Sequence, residues 1–379
     1  MATLVVEEVQ SANRNTVEPF YRPELDCLRF FAFFAVYICH TITGDAAYYA
    51  ARHVPFGALI SAATFAGRYG VDLFFLLSAY LITELLLREQ GQFGKLDLRS
   101  FYIRRILRIW PLYFLGILIG VLLPLVDSSE RFPLQYALAF VFMFGNWMIV
   151  LKGAVPSAVF ALWSVSFEEQ FYLLWPAFIA KLRGKGLLWA CGILLAIATV
   201  SRVIFLGYAI RMHSDMPIFA STLTRLDPLA LGIATSVFLR GKRLPLGWGT
   251  RLMLASAGYA LWFAAAYYTR LTLAFMLLGY PAMALGAWLI FMAALGVTFT
   301  PPWLRYLGKI SYGLYVFHGI ALYLGVYLLG GVHTLKAFIA YWWIGLALTV
   351  AMAAVSYKYF ESPFLRLKER FARVKSRPV

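Results

Sequence analysis

Apolar runs separated by short polar stretches fill almost the whole chain. They fall near 27–46, 70–87, 109–126, 160–180, 187–206, 223–239, 252–268, 272–295, 310–330 and 337–357. Most approach the ~20 apolar residues that a helix needs to cross the hydrocarbon of a bilayer. The runs are continuous and do not alternate, which counts against a large transmembrane β-barrel. The pattern predicts an all-α integral membrane protein, a polytopic bundle of about ten transmembrane helices. A further apolar segment, 135–151, is expected to be re-entrant or interfacial.

Composition agrees with the pattern. The chain has 62% hydrophobic and 14% charged residues and a mean hydropathy of +0.74. A soluble domain is nearer half apolar and about a quarter charged. The net charge of +16 raises nucleic acid as a partner, but the basic residues sit in short loops and in the tail. Six fall in 88–108 and only two in 47–69. Such asymmetry is a topology signal, and no nucleic-acid partner is expected. It predicts a multi-pass protein with both termini cytoplasmic. If 135–151 crossed, "KLRGK" and "RGKR" would move outside and the bias would weaken. The expected organisation is a cytoplasmic N-terminal arm, 1–26, a transmembrane domain, 27–361, and a basic cytoplasmic tail, 362–379. The first 26 residues contain no apolar stretch of signal-peptide length. The three cysteines, Cys27, Cys39 and Cys191, lack metal-ligand spacing and read as small buried side chains.

Ionisable residues inside apolar runs are costly in a bilayer and mark protein interiors or wet pathways. Arg29 and His40 are eleven positions apart, which places them on nearly one helix face about 16 Å apart in depth. Asp72 and Ser78 lie in the second run. Arg104, Arg105 and Arg108 precede the third, where they serve either topology or a phosphate clamp, since guanidinium forks bind phosphate in bidentate fashion. "LWSVSFEEQFYLLWP" holds Trp163, Ser164, Glu168 and Glu169. Two adjacent carboxylates point to different faces, so one at most is expected inside the bundle. Arg225 and Asp227, then Tyr315 and His318, then Glu361, occupy later runs, each with a structural reading beside the functional one. His53, His213 and His333 are expected to be solvated.

Taken in order, Arg29-x10-His40, "GVDLFFLLSAYLI", "RRILRIWPLY", "WSVSFEEQFYLLWP", "RLDPLALG", "LGKISYGLYVFH" and "FESP" resemble the membrane-bound acyltransferase-3 family over nearly the whole chain. That family makes O-acyl esters on sugars and other acceptors at bacterial surfaces. The resemblance implies a bacterial plasma (inner) membrane location, an acyl-CoA donor, usually acetyl-CoA, taken from the cytosol, and a carbohydrate or glycolipid acceptor. It matches His40 to the essential histidine. Arg29, Arg105, Arg108 and Glu168 match other residues on which activity depends, and Glu361 matches an acidic residue before the final proline. The family commonly has glycine where this chain has Ala79, and a larger residue there is expected to narrow the groove. The chain stops soon after its last apolar run, so a fused second domain is not expected; a partner in envelope-polymer synthesis would be a separate chain.

The expected chemistry follows. Donor phosphates rest on Arg105 and Arg108 with help from Arg104, the pantetheine runs past Arg29 toward His40, and His40 acts as general base on the acceptor hydroxyl. Glu168 or Asp72 sets the imidazole tautomer. Ser78, Trp163, Ser164, Arg225, Asp227, Tyr315, His318 and Glu361 support substrate or structure. An acyl-histidine intermediate stays open, and no metal is needed because a thioester is already activated. Competing readings are a transporter or flippase of a lipid-linked sugar, and a non-catalytic scaffold.

Overall fold

The computed structural model describes residues 20–42, 44–331 and 334–374, and among these every regular element is helical. Helix α1 (Pro23–Thr41) opens on a proline and has Glu24 and Asp26 in its first turn. Proline's fixed φ suits that position, and the helix dipole favours acidic groups there. Short helices α2 (Ala46–Ala50) and α3 (Gly57–Phe65) lead into the long α4 (Gly70–Phe93). Helix α5 (Leu98–Leu122) starts at Asp97, whose carboxylate accepts from the Ser100 amide at 3.0 Å. Then come α6 (Leu134–Val141), α7 (Gly145–Lys152), α8 (Trp163–Lys181), α9 (Lys185–Arg211), α10 (Met216–Phe219) and α11 (Asp227–Leu239). The last third comprises α12 (Trp248–Tyr267), α13 (Tyr280–Ala294), α14 (Pro302–Lys309), α15 (Ser311–Leu328), α16 (Leu335–Val355) and α17 (Ser362–Glu369).

Six helical stretches are long and apolar enough to cross a membrane: Gly57–Phe93, Leu98–Leu125, Lys185–Arg211, Phe275–Ala294, Ser311–Leu328 and Lys336–Glu369. The expectation of about ten crossings goes beyond these six. Helix α1 carries Glu24, Asp26 and Arg29 within 19 residues, and α11 has only 13 residues. The 135–151 segment is not one helix. It breaks between α6 and α7 at Met143, which has a φ of 60°. Each half has eight residues, about 12 Å of helix, too short to cross alone.

Helix α4 forms the centre, with α1, α8, α11 and α13 packed around it. Two glycines allow the closest approaches. A Cβ at Gly70 would run into the Ala32 carbonyl of α1, and one at Gly232 into the Leu76 carbonyl of α4. Ion pairs link α4 and α11, and the segments beside them, to other parts of the bundle. Asp72 of α4 accepts from Arg225, Asp227 of α11 accepts from Arg202 of α9 at 2.6 Å, and Arg68 pairs with Asp215 at 2.6 Å. The sequence neighbours Arg225 and Asp227 therefore serve different partners. His53 and His213 are exposed, as expected for loop histidines. His333, most of the N-terminal arm and the last five residues of the tail lie outside the described residues.

Candidate functional site

A cavity of about 620 Å³ runs along the interior between α1, α4, α5, α8 and α15. Its basic end is framed by Arg22, Arg29, Arg104, Arg105, Arg108 and Lys368. Its walls are apolar, with Phe75, Leu81, Ile82 and Ile109 among them. Helix direction sets depth. The N-terminal turns of α1, α5 and α15 and the C-terminal turns of α4 and α8 lie at the basic end. Val71, Phe74, Ser164 and Tyr315 consequently close the opposite end.

The arginines are not equivalent. Arg29 pairs with Asp26 at 3.6 Å, one turn back on α1. Arg104 is already engaged, donating to the Phe371 carbonyl at 2.6 Å and to Glu89 at 3.3 Å. Its expected place among the phosphate ligands is thus taken by a strap of C-terminal residues. Arg105 forms no salt bridge among the described residues, and its guanidinium lies over the rings of Tyr172 at 5.1 Å and Phe101 at 5.5 Å. Ring stacking holds the fork in place while leaving its N–H groups for an anion. Arg108 lines the same cavity one turn along α5.

Midway along the cavity is a hydroxyl–carboxylate cluster. Glu168 accepts from Tyr172 at 2.6 Å and from Ser78 at 3.1 Å, and the Tyr172 and Ser78 hydroxyl oxygens are 2.9 Å apart. Glu169 accepts from the Trp110 indole at 2.9 Å. Both adjacent carboxylates therefore find partners between helices, one toward α4 and one toward α5, contrary to the expectation that one at most would do so. Helices pack on both flanks of α8, so each of two neighbouring faces meets protein. At the closed end, the Ser164 and Tyr315 hydroxyls are 2.7 Å apart and both lie near the Ala161 carbonyl. Trp163 is buried behind them against Phe75 and Phe219. Glu361 accepts from Ser356 at 3.0 Å in the turn joining α16 to α17.

His40 lies beyond the closed end and does not line the cavity. Its Nδ1 is 2.9 Å from the Val36 carbonyl. It is exposed. Its ring centroid is 5.1 Å from that of His318, which is itself 5.5 Å from the ring of Tyr315. Phe74 meets Tyr315 edge-on at 5.7 Å. Arg29 and His40 thus do not mark two depths of one open channel; the rings of Tyr315, Phe74 and His318 stand between. Neither Glu168 nor Asp72 orients His40. Glu168 is held by Ser78 and Tyr172, Asp72 is consumed by Arg225, and a main-chain carbonyl fixes the imidazole instead. Ala79 also departs from expectation. It is fully buried and faces Gly232 of α11, away from the cavity, so it does not narrow the groove.

Sequence reading passed over Tyr172, Phe74, Glu89 and Lys368. Tyr172 carries the one readable signal, standing four positions after Glu168, where a helix brings side chains together. The other three come to the site only through tertiary contacts.

The family described as "Acyltransferase domain" matches residues 22–358. A Staphylococcus aureus (strain COL) protein with the provisional name O-acetyltransferase is 27% identical over 333 residues, covering 79% of this chain and 52% of that protein. The peptidoglycan O-acetyltransferase OatA of Listeria monocytogenes is 37% identical over 122 residues, 30% of this chain and 20% of OatA. The chain spans about half the length of the Staphylococcus relative. No solved structure matches.

Proposed function

The chain belongs to the membrane-bound acyltransferase-3 family, and from that premise we propose that it is a membrane O-acyltransferase. It moves an acyl group, acetyl by preference, from cytosolic acyl-CoA to a hydroxyl of a carbohydrate or glycolipid. The observation that carries this reading is one cavity joining a basic mouth to an apolar shaft that ends at the Ser164–Tyr315 hydroxyls, with an exposed histidine on the far side of that end. A nucleotide phosphate fits guanidinium forks such as Arg105 and Arg108. The long, mostly apolar pantetheine fits the shaft. By the positive-inside rule the basic end is assigned to the cytoplasm, and His40 then lies toward the outer side of a bacterial plasma membrane.

The reaction is a direct transfer. With Nδ1 bonded to Val36, His40 presents Nε2 as the acceptor. Nε2 takes the proton of the acceptor hydroxyl, the oxygen attacks the thioester carbonyl, the C–S bond breaks, and the thiolate regains a proton. Histidine's ordinary titration range near neutrality suits both halves of this exchange. Ser78, Glu168 and Tyr172 hold the shaft's polar waist. The thioester reaches His40 once Phe74 and Tyr315 turn aside.

The test uses purified protein in detergent, with acetyl-CoA binding and slow thioester hydrolysis measured for wild type, Arg105→Ala/Arg108→Ala and His40→Ala. The proposal expects binding by wild type, loss of binding in the arginine double variant, and binding without hydrolysis in His40→Ala. Absence of any CoA-dependent signal in wild type overturns it and favours a transporter of lipid-linked sugar.

A further inference from the structure

The C-terminal segment forms part of the cavity wall. Helix α17 packs on α5, and Leu365 is buried there. Lys368 stands three positions after Leu365, on the same helix face. It is half-buried and lines the cavity together with Glu369, Ala372 and Val374. Beyond the helix the chain is pinned twice to the start of α5. Arg104 donates to the Phe371 carbonyl at 2.6 Å. Arg373 pairs with Asp97 at 3.0 Å, and its guanidinium lies over the Phe93 ring at 5.8 Å. Val374 is buried at the end of this strap. These ties hold Lys368 at the mouth, where a loose tail would not.

The cations of the mouth differ in what they meet. Arg22 pairs with Glu24 at 3.7 Å and donates to the Gly241 carbonyl. Arg29 pairs with Asp26, and Arg104 meets Glu89 and Phe371. Those contacts join one part of the protein to another. Arg105 and Arg108 are a turn apart on α5, and Ile109 beside them belongs to the apolar wall of the shaft. Lys368 reaches the same mouth from a different element. The mouth therefore offers an arginine pair on α5 and a lysine on α17.

Acyl-CoA enters thioester first, so its nucleotide stays at the mouth. That nucleotide carries phosphate in two places: a pyrophosphate joined to the pantetheine, and a single phosphate on the ribose. The pyrophosphate adjoins the arm that fills the shaft, and so falls to Arg105 and Arg108, next to the first apolar residues. We propose that Lys368 binds the ribose phosphate, so that the C-terminal strap distinguishes coenzyme A from a donor that lacks this group. The chemistry of each side chain suits its share. Guanidinium forks match the paired oxygens of a pyrophosphate, and an ammonium serves a lone phosphate as a point charge. Glu369 borders the same mouth and is exposed, so the strap is not a general trap for anions. The inference rests on the acyltransferase reading above and names a donor-binding residue for it.

The test compares two ligands, acetyl-CoA and acetyl-3′-dephospho-CoA, which differ only in the ribose phosphate. Equilibrium binding is measured on the full chain in detergent for wild type, Lys368→Met, Lys368→Arg and Arg105→Ala. Wild type should bind acetyl-CoA about tenfold more tightly than the dephospho form, the lower range for a hydrogen bond to a charged group. Lys368→Met keeps the apolar stem and should lose that preference: acetyl-CoA weakens about tenfold and the dephospho form by less than about twofold. Lys368→Arg keeps the charge and should keep most of the preference. Arg105→Ala should weaken both ligands alike. If wild type binds the two ligands equally, or if Lys368→Met weakens both by the same factor or neither, Lys368 does not hold the ribose phosphate and the inference is overturned. If wild type binds neither ligand, the acyltransferase reading fails first and the inference falls with it.

Discussion

Arg104 donates to the main-chain carbonyl of Phe371, 267 positions later in the chain, at 2.6 Å. That bond fastens the C-terminal segment across the basic end of the cavity, where Lys368, Glu369, Ala372 and Val374 are part of the lining. A second tie joins Arg373 to Asp97 at 3.0 Å. Arg104 is therefore a latch on the C-terminal segment, and the proposed donor binding falls to Arg105 and Arg108. Replacing Arg104 with alanine should raise the association rate of acetyl-CoA several-fold while weakening equilibrium affinity less than Arg105→Ala does. Stopped-flow binding with a fluorescent acyl-CoA separates the two effects; equal losses of affinity would make Arg104 a phosphate ligand after all.

Phe74 and Tyr315 close the inner end of the shaft. Phe74→Ala removes one face of that closure and should let the thioester meet water without an acceptor. Acetyl-CoA hydrolysis is expected to rise by at least about threefold, with donor affinity unchanged, since Phe74 lies far from the basic mouth. An unaltered rate would show that Tyr315 alone forms the barrier.

Asp72 and Arg225 are both almost fully buried. Removing one member of a buried pair leaves an uncompensated charge and typically costs about 3–5 kcal/mol. Asp72→Leu should thus lower thermal stability in detergent sharply, and adding Arg225→Met should restore much of it. Activity should follow the folded fraction in both. His40→Ala should behave in the opposite way, keeping stability and losing turnover.

Ala79 touches α11 and not the cavity. Ala79→Gly should leave KM for acetyl-CoA within about twofold, and the helix should lose only the ~1 kcal/mol that separates glycine from alanine in a helix interior. A clear change in KM would mean that α4 turns a different face to the donor.

Asp97 caps α5 and is bonded by both the amide and the hydroxyl of Ser100. These bonds hold its carboxyl below the usual carboxylate range, with Arg373 adding a smaller pull in the same direction. A depressed value in the folded state means that the cap stabilises above the unfolded aspartate's ordinary value, near 3.9. The contribution is lost as pH falls through the lowered folded value. Asp97→Ala should cost roughly 1 kcal/mol near neutrality. The gap between variant and wild type should narrow only below about pH 4. Thermal unfolding across pH 3 to 7 reads this out; a constant gap would deny the cap its charge.

The sequence alone determined the helical class and the positions of the helices, because long apolar runs admit few other solutions in a bilayer. It also marked Arg29, His40, Arg105, Arg108 and Glu168, since ionisable groups stand out against an apolar background. It could not count the crossings, as α1 is charged and α11 is short. Nor could it assign partners. Asp72 and Arg225 are 153 positions apart, His40 and His318 further still, and side chains on different helices meet only where packing brings their faces together. Tertiary structure alone decided that Arg104 holds the tail, that Ala79 turns from the groove, and that rings stand between the apolar shaft and His40. Local periodicity fixes which face of a helix a residue occupies; only the packed neighbours fix what that face meets.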